Sequence, residues 1–307
     1  MKIHHYTSID ALESILANRT IRFNRTDRVD DKDEVEVDIN GIAFSKYLFV
    51  SCWTMDDCES IPQWSMYGNH SRGVRITLDS DHIFNDFFSS MKVKLDSKFD
   101  LEVEKRLTFQ LNGEKIFPVA FIHKEKEVAY FPHYLFHGSL EPKTCGLAII
   151  PPSPSYDILN KVEYVDTLNN VYSDQIQIQK TVSGKYNMQF STRIGYKKHI
   201  SWAFQKEARY IIMLMFTYPE RRIDNTIWDM PNINFSKAGF APIDEFGHEL
   251  LFYDIKVDND TFDYLEIVAG PETVSNDIFR IQKILETYAP NAILKRSMCR
   301  TNFNREI

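Results

Sequence analysis

The stretch HISWAFQKEARYIIMLMF, residues 199–216, constrains this chain most. Its second half, YIIMLMF at 210–216, is continuously apolar and rich in β-favouring side chains, the strongest strand signal in the sequence. It is far too short to span a bilayer as a helix. Polar residues lead into it. Residues two apart share one face of a strand, so Gln205, Glu207 and Arg209 are expected to form one stripe. Trp202, Phe204 and Lys206 are then expected near or on the opposite face. Such a stripe has two readings. It is an ion pair at a sheet edge, or a carboxylate held by Arg209 and aimed into a cleft.

The rest of the chain supplies partners for that strand. IHHYT at 3–7 precedes a short helix that Ser8 or Asp10 can cap, with Leu12, Ile15 and Leu16 on one face. TIRFNR alternates like a strand, and DRVDDKDEVEVD at 27–38 reads as an exposed charged loop running into a helix. YLFVSCWT at 47–54 is a buried strand by composition. SIPQWSMYGNHSRG is a short helix and turn, and GVRITLD is another strand. ELLFYDIKV, YLEIVAG and NAILKRSM add strands, and TVSNDIFRIQKILETYAP is a helix with Ser275 or Asn276 near its N-cap. Residues 80–145 mix periods, with a hairpin expected around Asn112-Gly113. The expectation is one α+β domain over 1–307, with 80–145 inserted.

With 307 residues, 43% of them hydrophobic, the chain can bury a sizeable core. A net charge of -7 argues against non-specific nucleic-acid binding, which needs a basic surface. Cys52, Cys58, Cys145 and Cys299 show no metal-finger spacing and read as reduced thiols. With no apolar signal core at the N-terminus, a cytoplasmic protein without a membrane segment is expected. His133 and His137, with Glu141 one turn on, form a metal candidate, but the flanking Pro132, Gly138 and Pro142 leave little room for the helix it needs, and no metal is expected. No phosphate-binding glycine loop is present.

Other candidates lie near strand ends. Ser51 and Trp53 suit a flat ligand that needs a hydrogen bond and a stacking surface, or ordinary strand packing. Trp64 and Tyr67 share a helical face that is either core or pocket wall. Together, and in this order, the pieces resemble a bacterial domain-of-unknown-function family. They are His5-Tyr6-Thr7-Ser8 with LESILANRTIRFNR, then FVSCWT, then Trp64, Tyr67, Gly73 and Val74. Lys198, Trp202, Phe204, Gln205, Glu207 and Arg209 follow, and YLEIVAGP ends the pattern. The resemblance covers most of 1–79 and 160–300 and is weak over 80–145. RVDDKDEVE stands where that family has an acidic Asn-Asp-Pro segment, and Gln205 where it usually has glutamate.

That family in turn resembles the ADP-ribosyltransferase fold, a split mixed β-sheet with flanking helices and NAD in the cleft. The resemblance implies that His5 contacts NAD from the first strand with support from Thr7, and that Ser51 holds it from a middle strand. Glu207 is then catalytic, and Gln205 orients the acceptor or a water. Tyr6, Trp53 or Tyr67 would stack on the nicotinamide, and Arg209 is counted with them among the NAD-binding residues. The implied activity is NAD-dependent ADP-ribosyl transfer to a macromolecule, protein or nucleic acid, as a toxin or anti-phage effector. An NAD glycohydrolase and a non-enzymatic binding module on the same fold are the alternatives.

Overall fold

The computed structural model describes residues 1–35, 38–39, 42–89, 159–166, 194–217 and 251–300. It also describes short strands at 92–94, 109–111, 114–116, 121–123, 128–130, 133–135, 146–150, 176–180 and 186–190. The elements that build the site are β1 (Lys2–Thr7), α1 (Ile9–Asn18), β2 (Thr20–Arg25), β3 (Leu48–Thr54), α2 (Ile61–Met66) and β4 (Val74–Asp79). They continue with β5 (Glu207–Thr217), β6 (Phe252–Lys256), β7 (Glu266–Ala269), α3 (Ser275–Tyr288) and β8 (Ile293–Arg296).

Among the described residues one mixed sheet of eleven strands dominates an α+β fold. Its order runs His133–Leu135, Gly146–Ile150, β5, β3, β1, β4, β7, β8, with Leu159–Lys161 also bonded to β5, and β2 bonded to both β3 and β6. The pairings are antiparallel except β7 with β8, which are parallel and joined through α3. A parallel pair needs such a crossover, and a helix supplies it.

The sheet parts at one place. β5 covers one edge of β3 along its whole length, from Leu48 opposite Met213 to Thr54 opposite Glu207. On the other edge β1 meets β3 only where His4 faces Thr54. β2 takes that edge farther along, at Val50 and Phe49. Between them, residues 51–53 have no strand on that side among the described residues.

Alternation along the strands separates two faces. Ile3, Phe49, Trp53, Ile76, Leu78 and Tyr210 pack with Leu12 and Leu16 of α1 and with Ile281, Ile284 and Leu285 of α3. On the other face Trp64 of α2 packs edge-on against Tyr6, ring centroids 4.8 Å apart. Each such side chain, fully buried, contributes about 1.5–3 kcal/mol.

Several elements match the sequence reading. Ser8 caps α1, its Oγ accepting from the Ala11 N–H at 3.1 Å. Strands 109–111 and 114–116 pair antiparallel with Leu111 opposite Glu114, as the Asn112-Gly113 turn predicts. Others differ. Residues Ile200–Gln205 form a 3-10 turn and the strand begins only at Glu207. Lys206 takes a left-handed conformation, φ 44°, which breaks the strand alternation, so Gln205 shares no strand face with Glu207. The start of α3 agrees with expectation: its N-cap is Val274, whose N–H donates to Asp277, and Ser275 stands next to it. Phe84, at the start of the expected insertion, is core, packed on Phe23 and Tyr210. Most of 80–145, and so its expected place at the cleft, lies outside the described residues, as do His137 and Glu141. His133 lies in a strand, not a helix.

The turn after α2 returns the chain tightly onto β1. Gly73 N donates to the Gly68 carbonyl at 2.7 Å, and a Cβ on Gly73 would overlap the Thr7 carbonyl oxygen. Gly73→Ala is therefore expected to lower stability by about 2 kcal/mol, because the strand pair cannot move apart without breaking its ladder. Urea unfolding checks this, and an unchanged midpoint would mean the turn accommodates the methyl group.

Candidate functional site

Where β1 and β3 part, a cleft of about 460 Å³ opens, within the range of small-molecule sites. His5, Tyr6, Thr7, Ser51, Trp53, Tyr67, Gln205, Glu207 and Arg209 all border it, with Lys198, Gln63 and Cys52. They come from both faces of the sheet. The register puts Glu207 and Arg209 on the face of Thr54 and Cys52, and Ser51 and Trp53 on the other. The gap in the sheet is what lets both sets reach one space.

Glu207 is the centre of a buried charge cluster. Arg209 Nε donates to its Oε1 at 2.5 Å, Arg209 Nη2 to its Oε2 at 3.1 Å, and Lys198 Nζ to Oε2 at 3.1 Å. Glu34 holds Arg209 from the far side, Oε1 to Nη1 at 2.6 Å and Oε2 to Nη2 at 3.0 Å. The Gly195 carbonyl accepts from Nη1 as well. Burial pushes the Glu207 pKa up, but the Arg209 and Lys198 charges and their hydrogen bonds outweigh it and hold the carboxyl at about 2. Glu34, more dependent on one shared cation, is pushed above the usual carboxylate range by burial. Burial also drives the Cys52 thiol upward, which keeps it neutral beside Glu207.

The other predicted residues are held as follows. His5 Nδ1 contacts the Cys52 carbonyl at 2.9 Å, so that nitrogen carries the proton. Burial lowers the His5 pKa, so the ring is neutral and its Nε2 is an acceptor. Trp53 tilts against His5, centroids 5.2 Å apart, and its Nε1 donates to Ser51 Oγ at 3.0 Å. Tyr6 is buried, and its hydroxyl accepts from the Ser60 N–H. Gln205 is tied at both ends, its Oε1 accepting from Lys198 at 2.9 Å and its Nε2 donating to Tyr67 at 2.6 Å. Arg209 is 0% exposed and enclosed by protein acceptors, so it positions Glu207 and presents no free donor to a ligand. Trp64 is core and does not border the cleft.

The sequence reading assigned no role to Lys198 or Glu34. Lys198 stands in the same motif as Trp202, and its ammonium lies 4.8 Å from that ring. Glu34 sits in the segment expected to be exposed, yet it is buried because Arg209 needs a second carboxylate. Nothing local in DRVDDKDEVEVD marks it out from its acidic neighbours.

A family model described as "Protein of unknown function (DUF2971)" matches residues 63–210. No curated protein and no solved structure matches the chain. The matched span starts at Gln63 and ends at Tyr210, so it takes in Tyr67, Lys198, Gln205, Glu207 and Arg209, and leaves His5 and Glu34 outside. Among the described residues no group of side chains could hold a metal ion, and no helix is long and apolar enough to cross a membrane.

Removing one member of a buried ion pair leaves its partner charged and unpaired. Glu34→Ala should therefore cost about 3–5 kcal/mol, read from urea unfolding. A cost below about 1 kcal/mol would place the pair among solvated ones. Glu207 adds a pH dependence. Its folded pKa lies below the ordinary 4.5, so its ionisation contributes stability above that pH and the contribution is lost as the pH falls toward about 2. Glu207→Gln should flatten that acid limb of the stability curve.

Proposed function

We propose that the cleft binds NAD and that the protein is an ADP-ribosyltransferase of the split-sheet kind, with Glu207 as the catalytic carboxylate. The observation that carries this reading is a charged carboxylate bordering a cleft at the parting of the sheet. A module that only binds has no need of a buried anion there, because burying it is costly.

The chemistry fits the residues. When the nicotinamide–ribose bond breaks, nicotinamide departs with the bonding electron pair and the sugar becomes cationic. A fixed carboxylate stabilises that cation, and fixed dipoles and charges are worth most in a water-excluded site. Glu207 supplies the charge. His5, through its Nε2 acceptor, would accept from a ribose hydroxyl or the carboxamide. Ser51 and Thr7 line the same opening, and Trp53 and Tyr67 offer ring surfaces. The acceptor is a macromolecule, protein or nucleic acid, in keeping with a toxin or anti-phage effector acting in the cytoplasm.

An NAD glycohydrolase on the same site is the alternative, with water in the acceptor's place at the same carbon. Gln205, assigned to orient the acceptor or a water, has both ends committed to Lys198 and Tyr67. Labelled NAD incubated with cell lysate separates the two: label in protein or nucleic acid marks a transferase, and label only in free ADP-ribose marks a hydrolase.

Glu207→Gln is expected to lower nicotinamide release by about 10²–10³-fold with much of the NAD affinity kept. Glu34 still pairs Arg209 in that variant, so the chain folds, with a lower thermal midpoint. His5→Ala should weaken NAD binding as well as turnover. Unchanged release in Glu207→Gln from an active wild type would remove the catalytic role. A wild type that releases no nicotinamide would leave a binding module.

A further inference from the structure

We propose that Lys198 is a positioning residue for Glu207 and Gln205, fixing both side chains at the cleft wall through one buried ammonium. The inference rests on the reading of Glu207 as the catalytic carboxylate.

Lys198 is 4% exposed and borders the cleft. It lies on a short strand, Lys197–His199, that is not part of the main sheet; Lys198 pairs there with Tyr164. Its Nζ donates to Glu207 Oε2 and Gln205 Oε1, and the Trp202 ring lies over it. One cation thus joins the 3-10 turn of Ile200–Gln205 to the first residue of β5. Through Gln205 the same set reaches Tyr67 and α2, where Gln63 Nε2 also donates to the Gln205 carbonyl at 2.9 Å.

Arg209 does not do this alone. Its guanidinium is shared with Glu34, whereas Lys198 bonds both the Glu207 carboxylate and Gln205 of the turn. The groups facing Glu207 are Arg209 on β5, Lys198 on its short strand, Glu34 from the one-turn helix Lys32–Val35, the neutral Cys52 on β3 and the Tyr67 phenol at the end of α2. Tyr164 adds a hydroxyl bonded to the Glu207 N–H at 2.8 Å. Removing Lys198 takes one of two cations from that set and leaves Glu34 still competing for the other. Glu207 keeps its two bonds to Arg209 but loses the link that sets its Oε2 against Gln205, and part of what keeps it ionised.

The test compares the full-length wild type with Lys198→Met and Lys198→Arg. Two readouts are taken: nicotinamide release from NAD across pH, and the side-chain carboxyl ¹³C resonance of Glu207, assigned by its loss in Glu207→Gln. In Lys198→Met kcat should fall about 10²-fold with little change in KM, the effect of a displaced catalytic group. Its acid limb should move to higher pH, and the Glu207 carboxyl should titrate at higher pH than in the wild type. Lys198→Arg, which keeps the charge, should return the resonance toward its wild-type position and recover part of the rate. If Lys198→Met does not fold, Lys198→Gln replaces it, with the same expected titration shift because the charge is gone. A Glu207 resonance and titration unchanged by loss of Lys198 overturns the proposal. A wild type inactive on NAD overturns the functional reading instead, and the resonance still decides the role of Lys198.

Discussion

The ion cluster of Glu207, Arg209, Lys198 and Glu34 governs this structure, because four charges cannot leave water without strict mutual pairing. Two are anionic and two cationic, and each anion bonds to Arg209. Arg209 lies at 0% exposure, with its donors spent on two carboxylates and a backbone carbonyl. Such a cluster is poor evidence for stability, since apolar side chains of equal volume often do as well or better. Its value lies in specification. It pins the charged segment 26–35 to β5 and orients a carboxylate beside an open cleft.

The parting of the sheet is the second constraint. β3 is paired along one edge by β5 and along the other only at its two ends. His5 closes part of the gap by donating a ring N–H to the Cys52 carbonyl, a bond a neighbouring strand would otherwise make. Strand alternation puts the Cys52 N–H on the same edge as that carbonyl. Residues from both sheet faces therefore meet in one space, which a continuous sheet forbids. The polar cluster at the start of the chain is explained by this gap: all four of its residues border it, His5 and Thr7 from one face of the sheet, His4 and Tyr6 from the other, where they bond to Thr77 and Ser60.

The two constraints meet at the turn before β5. Lys206 takes a left-handed conformation, which ends the 3-10 turn and lets the strand begin at Glu207. Lys198, Gln205 and Gln63 tie this turn to α2. The cleft thus has a wall made of side-chain hydrogen bonds rather than of a strand ladder.

What the sequence determined by itself is local. The apolar run after Glu207, the alternation of TIRFNR and VRITLD, and the Ser8 cap need only neighbours in the chain, so their periods and end residues are legible. The gathering of His5, Ser51 and Glu207 about one cleft was readable from their strand-end placement and from resemblance. Only the tertiary structure decided the rest. Gln205 left the strand because the turn at Lys206 broke the alternation. Ser51 and Glu207 came to lie on opposite faces because register, not composition, sets the side of a sheet on which a residue stands. Glu34 was buried and Lys198 drawn to the cleft wall by partners 175 and 9 residues away, since a charge goes inside only where an opposite charge already waits.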